Sequence, residues 1–138
     1  MDNRQIDLSK YRLQEAKDTL QVSNNCLRDG FYKDAINRSY YSAFYAIKAV
    51  LALGIVDFKR HKDVVAYFNK EYVSTGIFSK EVGKRLATLK QLREKSDYDD
   101  FYIASKEKAM EQLETAELIL KEVEGYLEII VQMSYEKL

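Results

Sequence analysis

The side chains best suited to chemistry in this sequence stand in one stretch, RSYYSAFYAIKAVL, which runs from Arg38 to Leu51. A helix turns by about 100° per residue, so Arg38, Tyr41, Ser42 and Tyr45 are predicted to share one face. A guanidinium grips phosphates and carboxylates as a fork, and a tyrosine hydroxyl can orient a phosphate or ribose by hydrogen bonding. One interpretation is therefore that this face opens into a cleft or lies across a symmetric dimer interface.

The opposite face of the same stretch is apolar, and this leaves a second interpretation open. Five residues are spaced by 4, 3, 4 and 3 positions, which is helical periodicity: Ile36, Tyr40, Ala43, Ile47 and Val50. A helix filled on both sides either lies at the centre of its own bundle or faces another subunit. In the first case the tyrosine hydroxyls would simply be satisfied by neighbouring elements.

The single histidine, His61, lies in the segment FKRHKDV near the predicted start of a short helix. A histidine among three basic neighbours is commonly a helix-end or solvent-facing residue. It is also a side chain that can take and return a proton near neutral pH. We keep it as a candidate site residue. No cluster of carboxylates accompanies it, so we predict no metal site.

The segment LREKSDYDDFYIASKE supplies three further candidates, Arg93, Asp97 and Tyr98. We place most of this segment after the fourth helix. In a structural interpretation its aromatic residues plug the core at a loop, while its aspartates keep the loop solvated. In a functional interpretation the segment lies beside Arg38, where an arginine–aspartate pair would fix a phosphate-binding arginine.

The elements that must position these residues are predicted to be helices throughout. The chain has no proline, and apolar residues recur at helical rather than alternating spacing. We predict helices over residues 7–28, 32–53, 61–72, 80–95 and 106–133, with Gly30 and Gly54 ending the first two and Ser105 capping the last. The sequence thus predicts one all-α domain over residues 1–138.

Composition excludes several broad classes of protein. The 22 basic and 22 acidic residues cancel, so no global field draws the chain to nucleic acid or to an anionic membrane. A local excess of basic residues between Lys80 and Lys95 could still contact RNA or an acidic partner. No stretch reaches the roughly 20 apolar residues of a membrane span. The lone Cys26 fits a reducing compartment, and we expect a cytoplasmic protein.

Three segments together resemble motifs of the HEPN-domain proteins of bacteria and archaea. The segments are NRSYYSAFYAIKAVL, KRHKDVVAYFNKEYVSTGIFSKEVGKRL and LREKSDYDDFY. They correspond to an R-x-YY-A-x-F-[HY]-A helix, a K-x-H segment with an F-x-x-x-[FY]-V-x-x-G stretch, and an R-x-x-[SA]-DY element. Their order and spacing match over residues 10–130, nearly the whole chain.

This resemblance implies a fold, an assembly and a set of activities. The fold is an up-and-down bundle of four long helices plus a short fifth one, often dimerised along the helix that carries Arg38. Members often act beside a small nucleotidyltransferase in toxin–antitoxin pairs. Several relatives are metal-independent ribonucleases that use an R-x(4–6)-H motif to cleave RNA through its 2′-hydroxyl.

The sequence departs from the ribonuclease motif at one position. Seven residues after Arg38, where histidine would complete the motif, stands Tyr45. An ordinary tyrosine has a pKa of about 10, so roughly one in a thousand is ionised at neutral pH. A tyrosine is therefore a poor base for RNA cleavage, and His61 is the alternative within the chain.

Three hypotheses for the function remain. The preferred one is a dimeric component of a toxin–antitoxin-like or stress module that binds RNA, a nucleotide or a protein partner, with a nucleotidyltransferase as the expected partner. Its candidate binding residues are Arg38, Tyr41, His61, Arg93, Asp97 and Tyr98. The second is a metal-independent endoribonuclease that uses Arg38 with Tyr45 or His61. The third is a purely structural helical module. None of them requires a cofactor.

Overall fold

The computed structural model describes residues 1–54 and 56–136, and every regular element within them is helical. The helices are α1 (Asn3–Arg28), α2 (Tyr32–Leu53), α3 (His61–Phe68), α4 (Lys80–Tyr98) and α5 (Lys106–Glu136). A π-helical turn, Asn69–Val73, continues α3. The predicted all-α class is confirmed, as is the architecture of four long helices and a short fifth one.

The first helix begins four residues earlier than predicted because its N-terminus carries a capping box. The Asp2 carboxylate accepts a hydrogen bond from the Gln5 backbone N–H at 2.9 Å, and the Gln5 side chain accepts one from the Asp2 N–H at 2.6 Å. These bonds satisfy N–H groups that a helix start otherwise leaves free. Apolar periodicity, on which the predicted start at Asp7 relied, does not register them.

The other helix ends divide into confirmed and corrected predictions. Gly30 has a positive φ of 85° in the turn after α1, as a glycine near a helix end does. The Ser105 hydroxyl accepts from the Lys108 N–H at 3.1 Å, which confirms it as the cap of α5. The prediction that the fourth helix ends at Lys95 was wrong, because α4 continues to Tyr98. Asp97 and Tyr98 therefore lie on its last turn rather than on a loop.

Two further ends also differ from the prediction. The α-helical hydrogen bonding of α3 stops at Phe68 rather than Tyr72, because the next five residues form the π-helical turn. The last helix runs three residues past the predicted Met133, to Glu136.

The second helix is the centre of the bundle, and this accounts for its crowded sequence. It contacts α1, α3, α4 and α5. Its predicted inward stripe is fully buried: Ile36, Tyr40, Ala43, Ile47 and Val50 all have no exposed surface. The first explanation for a helix filled on both sides, a position inside its own bundle, accounts for this stripe. The second, that the other face meets another subunit, stays a prediction.

Small residues and serines let α1 and α2 approach closely. The buried hydroxyl of Ser42 donates to the Ala16 carbonyl at 2.7 Å, and that of Ser9 donates to the Ala49 carbonyl at 2.7 Å. Each bond satisfies a polar atom that would be costly to bury alone. Ser42 thus packs against α1, so the prediction that it shares the face of Arg38 was wrong. Its angular position lies at the margin of that face, where the neighbouring helix covers it.

No helix among the described residues is both long enough and apolar enough to cross a membrane.

Candidate functional site

The part of α2 that its neighbours leave uncovered is a narrow strip along one side of the helix. Arg38, Tyr41 and Tyr45 lie on it, and each side chain is partly exposed. Arg38 and Tyr45 are seven residues apart, or about two helical turns, and Tyr41 lies between them, so the three side chains are in line along the helix. The predicted shared face is therefore present for these three residues. We call them the α2 strip.

The guanidinium of Arg38 is held at the surface by the residue before it. Its Nε and one terminal nitrogen donate to the Asn37 Oδ1 at 3.0 and 2.7 Å. Its central carbon lies 5.0 Å from the centroid of the Tyr41 ring, within the range of a cation–π interaction. Arg38 forms no salt bridge with any residue the structure describes. Among the described residues, the site therefore presents an oriented positive charge that is not paired with a carboxylate.

Arg93 and Asp97 join this site from α4, and they form the predicted pair. An Arg93 terminal nitrogen lies 3.5 Å from the Asp97 carboxylate, one helical turn away. The Arg93 guanidinium is buried against two rings of α2, at 4.6 Å from the centroid of Tyr40 and 5.7 Å from that of Tyr41. The structure thus combines the two interpretations of the pair, because Arg93 supports helix packing beside the α2 strip.

Asn37 links the pair to Arg38, a role that sequence analysis did not indicate. Its Nδ2 donates to the Asp97 carboxylate at 3.0 Å, while its Oδ1 accepts from Arg38. The expected contact of the α4 residues with Arg38 is therefore indirect. The only available signal was the adjacency of Asn37 and Arg38, and adjacent helical residues do not normally face each other.

His61, the first residue of α3, lies in the same cluster. Its imidazole stacks on the Phe44 ring with centroids 4.0 Å apart, and it lies 5.6 Å from the Tyr41 centroid. Its Nδ1 is 3.3 Å from the Tyr40 hydroxyl, within hydrogen-bond reach. The prediction of a helix-end residue is confirmed, but the side chain packs on the aromatic cluster instead of pointing freely into solvent.

The cluster shifts the pKa values of its titratable groups. Burial lowers the pKa of His61, and the positive charges of Arg93, Lys48 and Lys90 lower it further. His61 is therefore held in its neutral, proton-accepting form near neutral pH. Burial raises the pKa of the Tyr40 hydroxyl, although Arg93 acts in the opposite direction.

For Arg93 itself burial acts to lower the pKa, but the nearby Tyr40 and Tyr98 hydroxyls raise it. The net shift is upward. This arginine stays charged within its buried position.

The remaining two predicted residues lie at the margins. The Tyr45 ring is 6.0 Å from that of Tyr41, one turn further along the α2 strip. Tyr98 is 75% exposed and lines an open groove of about 580 Å³ at the end of α4, together with Asp99, Asp100 and Phe101. It borders the site rather than forming its centre.

Some of the basic residues of α4 and the start of α3 are paired with carboxylates. Arg85 pairs with Glu81, Lys90 with Glu94, and Arg60 with Asp63. Exposed pairs of this kind are common on solvated helix faces and stabilise only weakly. The predicted basic surface therefore keeps part of its positive charge, on lysines such as Lys80, Lys84 and Lys95 that form no salt bridge with a described residue. Arg38 differs from these lysines because its guanidinium is held in one orientation by Asn37.

No group of three or more histidine, cysteine, aspartate or glutamate side chains is arranged to hold a metal ion within residues 1–54 and 56–136.

Comparison with known proteins places this site within one family. Residues 9–126 match the HEPN domain. The UPF0332 protein of Thermotoga maritima is 29% identical over 126 residues, which cover 91% of this chain and 96% of that protein. A protein named "Putative toxin MJ0142", from Methanocaldococcus jannaschii, is 30% identical over 115 residues, or 83% of this chain and 78% of the relative.

A solved structure shares the fold. The crystal structure of TT1696 from Thermus thermophilus superposes with a TM-score of 0.70 at 23% identity, covering 86% of this chain and 97% of that one. The family match extends over most of the chain and includes every residue of the site described above. The chain belongs to the HEPN domain family.

Proposed function

We propose that this protein binds the phosphate of an RNA strand or nucleotide at Arg38. The observation that carries the proposal is the state of that guanidinium, which is oriented by Asn37, partly exposed and free of any salt bridge within the described residues. By contrast, Arg12, Arg60, Arg85 and Arg93 all lie within 4.0 Å of a carboxylate. An arginine that keeps its charge and its orientation is suited to bind a phosphate oxygen.

The surroundings of Arg38 favour a single strand or a free nucleotide over a duplex. The Tyr41 ring is partly exposed directly beneath the guanidinium, and Tyr45 follows it on the α2 strip. Unpaired bases stack on such rings, and cationic side chains hold the adjoining backbone. Bases inside a duplex are not available for this kind of contact.

In its cellular role we place the protein in a toxin–antitoxin-like or stress module. The HEPN assignment and the toxin name of the M. jannaschii relative support this. We further propose that it works as a homodimer whose two copies meet on this side of α2, so that the α2 strip lines the cleft between them, with a nucleotidyltransferase as its partner. The support for the dimer is that Tyr41 and Tyr45 are partly exposed in a row on a helix whose opposite side is buried.

Binding of fluorescently labelled single-stranded RNA, followed by anisotropy, tests this proposal. Loss of a charged hydrogen-bond donor costs about 1.5–3 kcal/mol, so we expect Arg38→Ala to weaken binding by about ten- to a hundredfold. Arg4→Ala, an exposed arginine near the start of α1, is the matched control and should bind as the wild type does. Equal binding by wild type and Arg38→Ala would mean that Arg38 is not the anchor, and no binding even by the wild type would leave the purely structural module as the better hypothesis.

A second candidate function, metal-independent RNA cleavage, is favoured by the position and neutral state of His61. A neutral imidazole can take the proton of a 2′-hydroxyl. The freed oxygen then attacks the neighbouring phosphorus, the bond to the 5′-oxygen breaks, and that oxygen takes up a proton from the imidazolium or from water. The products are a 2′,3′-cyclic phosphate and a new 5′-hydroxyl. Arg38 would stabilise the charge on the phosphate oxygens.

Cleavage in the presence of EDTA distinguishes this candidate from binding alone. If His61 is the base, His61→Gln should abolish the cyclic-phosphate product while RNA binding persists. Arg38→Ala should reduce both. Binding without any cleavage by the wild type would favour the first proposal.

A further inference from the structure

The side-chain amide of Asn37 connects Arg38 with Asp97, and it donates at one end and accepts at the other. The Asn37 Nδ2 donates to the Asp97 Oδ2 at 3.0 Å, and the Asn37 Oδ1 accepts both bonds from Arg38, at 3.0 and 2.7 Å. The Asp97 oxygen that accepts from Asn37 also lies 3.5 Å from Arg93. Four side chains from α2 and α4 thus form one continuous polar chain.

The chemistry of these groups fixes the direction of the chain. An ionised aspartate only accepts hydrogen bonds, and an arginine only donates them. A residue that bridges the two must therefore donate at one end and accept at the other. The amide of Asn37 does so in one orientation alone, because the flipped amide would set its NH2 group against Arg38 and its oxygen against Asp97. By accepting the bond from Nδ2, Asp97 therefore turns the Oδ1 end of the Asn37 amide towards Arg38.

We propose that Asn37 is the positioning residue of the site, and that Asp97 sets its orientation. This inference rests on the function proposed above. Asn37 holds two of the nitrogens of Arg38 so that the guanidinium stays over Tyr41, while the remaining donors are directed away from Asn37. The bridge is neutral, so it orients Arg38 without neutralising the charge that a phosphate would bind.

The neutrality of the bridge is what a substitution can test. With Asn37→Asp, the new carboxylate would pair directly with Arg38 and would face Asp97 as a like charge. Arg38 would remain ordered, but its charge would be compensated. Asn37→Ala would instead release Arg38 without compensating it. Alanine is a better helix former than asparagine, so this variant should fold.

The first experiment observes Arg38 directly and needs no ligand. In the ¹⁵N–¹H correlation spectrum of the labelled protein, the Nε–H of Arg38 is assigned by its absence in Arg38→Lys. A hydrogen bond to Asn37 should slow its exchange with water. We expect Asn37→Ala to raise the exchange rate at least about tenfold, by analogy with the loss of one charged hydrogen bond. Asp97→Ala should raise it less, and the exposed Asn24→Ala should leave it unchanged.

The second experiment measures how tightly the same labelled RNA binds to a variant in which residues 37 and 97 exchange their side chains. The double substitution Asn37→Asp with Asp97→Asn restores a donor and an acceptor between the two positions. We expect it to recover slow exchange at Arg38 but not RNA binding, which should stay weak by about tenfold or more because Arg38 is now ion-paired. If the bridge served only to hold Arg38 in place, the double substitution would recover both slow exchange and RNA binding.

The two readouts separate failure of this inference from failure of the proposed function. Unchanged Nε–H exchange in Asn37→Ala would overturn the positioning role, whatever the RNA result. Recovery of RNA binding by the double substitution would overturn the requirement that the bridge be neutral. Slow exchange that depends on Asn37, in a protein that binds no RNA even as wild type, would retain the positioning of Arg38 but reject RNA as its ligand.

Discussion

The imidazole of His61 stacks on the ring of Phe44 with the two centroids 4.0 Å apart, although the residues are on different helices. This contact joins the start of α3 to the helix that carries Arg38. It also removes much of the imidazole from water, which is the main reason that its pKa is lowered. The single histidine of the chain is therefore part of the candidate site. Because folding lowers its pKa, the protonation of His61 affects the stability of the folded protein.

The lowered pKa of His61 predicts a specific dependence of stability on pH. The unfolded chain binds a proton at this residue more readily than the folded protein does. Well above pH 6.5, His61 is neutral in both states and its titration does not change the free energy of unfolding. It destabilises the folded protein progressively as pH falls through 6.5 and levels off below the folded pKa. Urea unfolding between pH 8 and pH 5 should show a steeper loss of stability for wild type than for His61→Gln. Parallel curves for the two proteins would contradict the prediction, as would an NMR titration of His61 at or above its ordinary pKa.

Arg93 is predicted to act on both the stability of the bundle and the titration of His61. Its guanidinium is buried over the Tyr40 ring, and a desolvated cation–π contact contributes about 2 kcal/mol. Arg93→Met keeps much of the volume but removes the charge, so we expect a loss of about 2 kcal/mol in unfolding free energy. The same variant should raise the pKa of His61, because the charge of Arg93 helps to lower it.

Arg85→Met is the control for this variant, since Arg85 lies on the same helix but pairs at the surface with Glu81. It should change the free energy of unfolding by no more than about 1 kcal/mol and leave the pKa of His61 unchanged. An unmoved His61 pKa in Arg93→Met would mean that the two side chains are not electrostatically coupled.

Two helical glycines are predicted to respond differently to alanine. Gly125 lies in the interior of α5, and an added Cβ there meets nothing within 4 Å. Gly125→Ala should therefore stabilise the protein by about 0.5–1 kcal/mol through helix propensity. At Gly83 an added Cβ would lie 3.0 Å from a methyl group of Val73. Gly83→Ala should gain less than Gly125→Ala, or lose stability, in the same denaturant titration. An equal gain at both positions would argue against close packing of α4 on the π-helical turn.

The fold was largely predictable from the sequence because it depends on local periodicity. The inward stripe of α2 and the Ser105 cap need only the order of residues within a few turns. The end of α4 was harder, since no glycine or proline marks it and the helix continues three residues past Lys95. That difference matters for the site, because it puts Asp97 one turn from Arg93 instead of on a loop.

The candidate site was predictable as a set of residue types but not as an arrangement. Arg38, Tyr41 and Tyr45 could be aligned from helical spacing alone. The stacking of His61 on Phe44 joins residues 17 positions apart, and the bond between Asn37 and Asp97 joins residues 60 apart. Such contacts depend on how the helices pack, which single-sequence periodicity does not specify. Asn37 was missed for that reason.

The last prediction concerns Tyr45, which stands where the R-x6-H motif implied by the resemblance would have histidine. It lies on the α2 strip one turn beyond Tyr41, with the two ring centroids 6.0 Å apart. Tyr45→His places an imidazole in the position that completes R-x6-H with Arg38. General base catalysis contributes about 10²–10⁴-fold, so we expect EDTA-resistant RNA cleavage by this variant to exceed that of the wild type by at least about a hundredfold.

This gain should require Arg38, so Tyr45→His combined with Arg38→Ala should return to the wild-type level or below. Tyr11→His, at an exposed tyrosine on α1, controls for the mere addition of an imidazole to the surface. If Tyr45→His cleaves no faster than Tyr11→His, the α2 strip lacks the geometry for cleavage, and the role of Arg38 would be confined to binding. A gain that also depends on His61 would instead show that both histidines act on one phosphate, because His61 and the α2 strip meet at the Tyr41 ring.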